Sequence, residues 1–213
     1  MTAPGVRDRS RPYRGAHARA RRTLAALGWF AAALALGLGS AWLALRAGLG
    51  DGVAAGPWRA SLLAGSAEAG AYTRARVAVG GLLALNRDET MYYVATTDSE
   101  GAPLRSRCAY RVTGRPPAAR WWSVTAYADD FFLFPNDERR WSVNGTSAPL
   151  DAGGRFAFAS GPTAPADASL AWLPTPGDRG LMFTLRVYNP EAALAAAPAS
   201  LDPPRIERLG DCR

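Results

Sequence analysis

The chain changes its hydrophobic rhythm twice. Residues 24–45, LAALGWFAAALALGLGSAWLAL, carry no charge and end against Arg46. As a helix, a run of that length rises about 33 Å, enough to cross a hydrocarbon core of about 30 Å. The pattern therefore predicts a single transmembrane helix. From 66 to 85, in SAEAGAYTRARVAVGGLLAL, small and apolar residues recur at helical spacing around Tyr72, Ala75, Val79 and Leu82. This predicts a second helix with Ser66 as its N-cap. Such a helix either covers one face of the sheet that follows or lies on the membrane surface.

Beyond residue 86 the period shortens to two. MYYVATT, CAYRVTG, WWSVTAY, FFLF, RFAFAS and LMFTLRVY are short, β-branched and aromatic, and DSEG, GRPP, ADD, PND, DAGG and PTPGD punctuate them as turns. Many short strands so spaced predict a mainly β domain, a jelly-roll-like antiparallel β-sandwich with one covering helix, preceded by the transmembrane helix. The expected plan is a basic, disordered arm at 1–23, the span at 24–45, a flexible spacer at 46–65, the helix at 66–85 and the sandwich at 86–213. Within 121–127, Trp122, Val124 and Ala126 share one face and read as core, whereas Trp121, Ser123, Thr125 and Tyr127 share the other. Aromatics mixed with hydroxyls suit a half-covered groove, and equally a face lying under a helix.

Charge fixes the expected orientation. Residues 1–22 hold seven arginines against Asp8, so of the formal +7 only +1 falls after residue 22. Positive-inside asymmetry keeps the arm cytoplasmic and sends the rest of the chain across. The near-neutral remainder also removes the case for a nucleic-acid partner. A secretory signal has an apolar region of only about 7 to 15 residues. The longer run here, with Leu45 and Arg46 between Ala44 and Ala47, favours an uncleaved anchor. Arginine as the sole basic residue type apart from His17, with abundant Ala and Gly, suggests a GC-rich bacterial genome. The expected location is the bacterial inner membrane, with the N-terminus cytoplasmic and the C-terminal domain periplasmic.

Candidate chemistry is narrow. The sole histidine, His17, precedes the span, so no Ser-His-Asp, Cys-His or His-ligated metal arrangement can be assembled in the part beyond it. No metal and no cofactor are expected. Cys108 and Cys212 lie where an oxidising compartment permits a disulfide, the alternative being two free thiols with Cys212 in a frayed tail. The densest polar cluster runs from Asp129 and Asp130 through Asn136, Asp137, Glu138, Arg139 and Arg140. Asp130 and Asp137 are candidate catalytic carboxylates for a hydrolase, although Asp and Asn in such a place ordinarily serve turns. Arg186 is a charge inside an apolar strand, and either pairs with an acid or holds an anionic ligand. Trp121, Tyr127, Asn136, Trp141, Trp172 and Arg186 are the candidate ligand-binding residues.

DSEGAPL (98–104), ARWWSVTAY (119–127), FLFPND (132–137), RWS (140–142), AWLPTPG (171–177) and TLRVYNP (184–190) stand in the order seen in domain-of-unknown-function family 1214. Over about 86–209 the chain resembles that family. The resemblance implies a jelly-roll sandwich in bacterial proteins, often with a companion domain, family 1254, which this chain replaces with the anchor and one helix. It implies no activity. Where the family usually has Asn before Trp-Leu-Pro, this chain has Ala171. The leading expectation is a membrane-anchored module that binds a small ligand or an envelope partner. The alternatives are a carboxylate-dependent hydrolase acting on an envelope or carbohydrate substrate, and a structural subunit that pairs with a companion-family protein.

Orientation is open to a direct check. Alkaline phosphatase fused after residue 213 should be active in cells and green fluorescent protein at the same point dark; the opposite pair would place the domain in the cytosol.

Overall fold

The computed structural model describes residues 12–46, 52–61, 65–79, 85–86, 88–210 and 212. They fall into two units, 1–48 and 49–213. The first is one helix, α1, Pro12–Arg46. It starts inside the stretch expected to be a disordered arm, with Pro12 at its first position, where a missing N–H costs nothing. Within it, 17–44 is long and apolar enough to cross a membrane. Leu24, Leu27, Trp29, Phe30 and Leu36 are all exposed along it, a surface that water would penalise and lipid would not.

The second unit is mainly β. Its strands are β1 (Gly52–Ala55), β2 (Trp58–Ser61), β3 (Thr90–Ala95), β4 (Ala109–Gly114), β5 (Ala119–Ala128), β6 (Ser142–Asn144), β7 (Phe156–Gly161), β8 (Ala171–Pro174), β9 (Leu181–Pro190) and β10 (Arg205–Leu209). They form two sheets, ordered β1-β2-β3-β9-β5-β6 and β10-β4-β7-β8. All pairs are antiparallel except β7 with β8, so the second sheet is mixed rather than purely antiparallel as expected. The chain leaves β7, crosses 162–170 and returns in the same direction.

The core lies between the sheets. From the six-stranded sheet come Tyr93, Trp122, Val124, Phe183 and Leu185, and from the four-stranded sheet Tyr110, Val112, Phe156, Phe158 and Ile206, all buried. Trp122 stacks on Phe156 at 4.3 Å between centroids, while Phe183 meets Phe158 and Tyr110 edge-on at 6.4 and 6.3 Å. These offset and T-shaped pairs suit the aromatic quadrupole and fix the depth at which the sheets meet. The alternation expected for Trp122, Val124 and Ala126 is the observed core face.

Five expectations need correction. Residues 52–61, placed in a flexible spacer, form the β1–β2 hairpin, turning at Gly56, whose φ of 57° suits glycine. Trp58 makes this hairpin part of the core: it is fully buried and its Nε1 donates to the Pro204 carbonyl at 2.7 Å. The helix expected at 66–85 is α2, Ala71–Val79; residues 80–84 lie outside the described ones. Ser66 does not cap it. Its Oγ instead accepts from the Glu68 N–H, closing a turn five residues early. Thr73 is the one buried residue of α2, and Tyr72 and Val79 are exposed, so the expected apolar stripe does not pack as one face. Finally, FFLF is no strand. Phe131 has a φ of 68°, and Phe131, Phe132 and Leu133 are exposed at a turn closed by the Ala128 N–H on the Phe132 carbonyl.

Cys108 and Cys212 are joined in a disulfide across a separation of 104 residues. It ties the chain's end to the start of β4, where β10 already pairs. Tyr93 and Asp98 add polar ties. The Tyr93 hydroxyl donates to the Pro198 carbonyl at 2.9 Å, and burial pushes this phenol up to about 12. Asp98, also buried, accepts from the Glu100 and Ala102 N–H groups and from Arg208. Opening the disulfide should cost about 2–5 kcal/mol, since a loop of about 100 residues loses most freedom when closed. Urea unfolding of the full chain with and without reductant measures this, and coincident midpoints would contradict it.

Candidate functional site

Strand β9 runs through the middle of the six-stranded sheet, and its two faces differ completely. Leu181, Phe183, Leu185 and Val187 point into the core. The strict period of two then sends Met182, Thr184, Arg186 and Tyr188 to the outer face. Register sets their neighbours: Arg186 lies opposite Tyr92 of β3 and Ser123 of β5, Thr184 opposite Val94 and Thr125, and Tyr188 opposite Thr90 and Trp121.

Arg186 is half-buried there. One guanidinium nitrogen donates to Thr125 Oγ1 at 3.1 Å and another to the Tyr127 hydroxyl at 2.9 Å. Its carbon sits 5.9 Å from the Tyr92 ring centroid and 5.5 Å from that of Tyr127. Each ring face offers the cation about 0.5–2 kcal/mol, depending on desolvation. Among the described residues no carboxylate pairs with Arg186. Among the described residues its charge meets hydroxyl dipoles and aromatic faces, and a guanidinium with five N–H donors has more to offer a planar anion than these two bonds use.

The structure gathers three of the sequence candidates and separates the others. Tyr127 touches Arg186 directly. Trp121 is two register rows away, tilted against Tyr188 at 5.1 Å, with its Nε1 on Thr146 Oγ1 at 3.2 Å. Trp172 belongs to the other sheet, on β8, with its Nε1 on the Gly161 carbonyl. Ala171, where relatives were expected to carry Asn, packs at the core margin. Asn136 spends its amide on its own loop: the NH2 donates to the Phe134 and Arg140 carbonyls, and the oxygen accepts the Arg140 N–H at 3.0 Å. Trp141 is exposed beside it, donating to the same Phe134 carbonyl.

The two carboxylate candidates differ in surroundings. Asp130 is ion-paired with Arg179, which also lies 3.7 Å from Asp129. The Arg179 hydrogen bond, helped by the Phe132 N–H, holds the Asp130 carboxyl below the usual carboxylate range. An acid so held is ionised at neutral pH and has no proton to donate. Asp137 is exposed in the Asn136 turn. Among the described residues no group of three His, Cys, Asp or Glu side chains gathers as a metal would require.

One member of the outer face was not found by sequence reasoning. Tyr92 sits in a strand whose period is clear, but nothing local announces that β3 pairs with β9. Alternation along 181–188 does put Thr184 on the side of Arg186, where it is buried.

A family model described as protein of unknown function, DUF1214, matches residues 89–192, from the start of β3 to just past β9. Comparison with curated proteins returns no match. The fold is similar to that of the VPA0106 protein from Vibrio parahaemolyticus, with a TM-score of 0.55 and 22% identity over 68% of this chain and 37% of that one. An uncharacterized protein from Burkholderia cenocepacia matches with a TM-score of 0.40 and 18% identity, over 59% of this chain and 30% of that one. The chain thus spans about a third of the length of these solved structures.

The Arg179 pair gives a pH prediction. Asp130 is depressed, so its contribution to stability is complete above the unfolded carboxylate value near 3.9 and is lost as pH falls through the lower folded value. Asp130→Asn should therefore be less stable than the parent at pH 7, with the difference shrinking as pH falls below about 4, as read by unfolding midpoints across the acid range. A gap that does not narrow on acidification would exclude the ion pair as its cause.

Proposed function

Residues 89–192 belong to the DUF1214 family of proteins of unknown function, and on that footing we propose that this chain is a membrane-anchored module that binds a small anionic ligand. The anchor is α1, and the domain works on the periplasmic side, with the arginine-rich start of the chain left in the cytoplasm. The ligand site is the outer face of the six-stranded sheet at Arg186, with Thr125, Tyr127 and Tyr92 as its immediate walls and Trp121 as its rim.

One observation carries the reading. Arg186 is a half-buried cation that contacts hydroxyls and ring faces but no described carboxylate. Burying a charge without an opposite one is costly, and a structural arginine is ordinarily paired. Here the guanidinium is oriented by two neutral acceptors and cushioned by two rings, which preorganises its free edge for a carboxylate. Asp130, held ionised by Arg179, is unsuited to the general-acid role in a hydrolytic pair.

The test is the Arg186→Gln variant of the full chain in lipid nanodiscs, titrated with small carboxylates, inorganic phosphate and neutral sugars. Carboxylates should raise the melting temperature of the parent. The variant should bind them roughly 10- to 100-fold more weakly, the worth of a charge-assisted pair of about 1.5–3 kcal/mol. Equal affinity in parent and variant, or stabilisation by sugars alone, would sink the proposal.

A further inference from the structure

A cleft of about 500 Å³ opens at the end of the sandwich, lined by Thr96, Pro103, Leu104, Arg105, Asp129, Gly180, Leu181 and Met182. That size suits a small organic ligand. Its lining is largely apolar. Of its two charged groups, Asp129 is within 3.7 Å of Arg179, while Arg105 is exposed with no ion pair among the described residues.

This cleft adjoins the Arg186 face. Met182 and Arg186 project from the same side of β9, four residues apart, or about 14 Å along the strand. The Arg186 guanidinium is turned toward that end of the face, since it donates to Thr125 and Tyr127, which lie opposite Thr184 and Met182 in the β5–β9 register.

We propose, resting on the reading of Arg186 as an anion site, that the ligand is an amphipathic acid. Its carboxylate meets Arg186, and its hydrocarbon tail lies over Met182 into the cleft beside Thr96 and Pro103. Charge selects the head, since among the described residues neither Arg186 nor Arg105 has a carboxylate partner. Apolar area selects the tail. A short hydrophilic acid would leave the cleft empty and gain only the ionic contact.

Acetate, hexanoate and hexanol separate the two contributions in calorimetric titrations of the full chain in nanodiscs, with titrations of empty nanodiscs subtracting partition into the bilayer. Hexanoate should bind at least roughly tenfold more tightly than acetate, as four added methylenes predict, and hexanol should bind more weakly than hexanoate. Thr96→Trp, an exposed rim position that fills the cleft, should reduce hexanoate to the affinity of acetate and leave acetate unchanged. Met182→Gln should act in the same direction, with circular dichroism checking that each variant is folded. Equal affinities for acetate and hexanoate, or a Thr96→Trp variant that still prefers hexanoate, would overturn the tail assignment while leaving Arg186 as an anion site. Binding of neither acid would remove both.

Discussion

The arrangement of this domain depends on the burial of one side of β9. Leu181, Phe183, Leu185 and Val187 are all but completely enclosed, and Phe183 is held edge-on by Phe158 and Tyr110 from the opposite sheet. Slipping the strand by one residue would drive Arg186 into that core and expose four large apolar groups. The pleat is thus locked by the hydrophobic effect, and the outward position of Arg186 follows from it. A charge can be kept half-buried on the outer face because the inner face gives the strand no alternative.

The same logic explains how the C-terminal segment is held. Past β9 the chain makes a short helix, Ala192–Ala196, and a single 3-10 turn, Pro198–Ser200, before β10. Little of this stretch enters a ladder, so its carbonyls need partners from side chains. Tyr93 supplies one at Pro198 and Trp58 another at Pro204, each from a fully buried ring. Asp98 with Arg208, and Cys108 with Cys212, complete the attachment. The hairpin β1–β2 is therefore a structural component: without Trp58, the Pro204 carbonyl would lose its donor and the sheet its outer two strands.

Legibility varied with how local the cause was. The inward and outward sets of 121–127 and 181–188 were readable because alternation is a property of a single strand. Asn136 was readable as a turn residue, and its amide does close the 134–140 loop. The FFLF segment misled because its composition is that of a strand, yet Phe131 takes a left-handed backbone and the segment is a turn beside Tyr127, bridged there by Leu133. The hairpin at 52–61 was missed for the opposite reason: two four-residue strands around Gly-Pro carry too little pattern to stand out from a linker. Of the candidate residues, Trp121, Tyr127 and Arg186 share one face, whereas Trp172 lies on the other sheet, a separation that no spacing along the chain encodes.

What the sequence determined by itself was whatever depends on neighbours a few positions away: an uncharged run long enough to cross a bilayer, two-residue alternation in the longer strands, and turns built on Asn and Asp. Each is set by local sterics and by the solvent preference of consecutive side chains. Tertiary structure decided which strands lie side by side, and with that the surroundings of Arg186. Tyr92 and Tyr127 flank it from β3 and β5 only because the sheet order inserts β9 between them. Pairing across such distances reflects competition among all possible ladders for one shared core, and that competition is resolved only when the whole chain has packed.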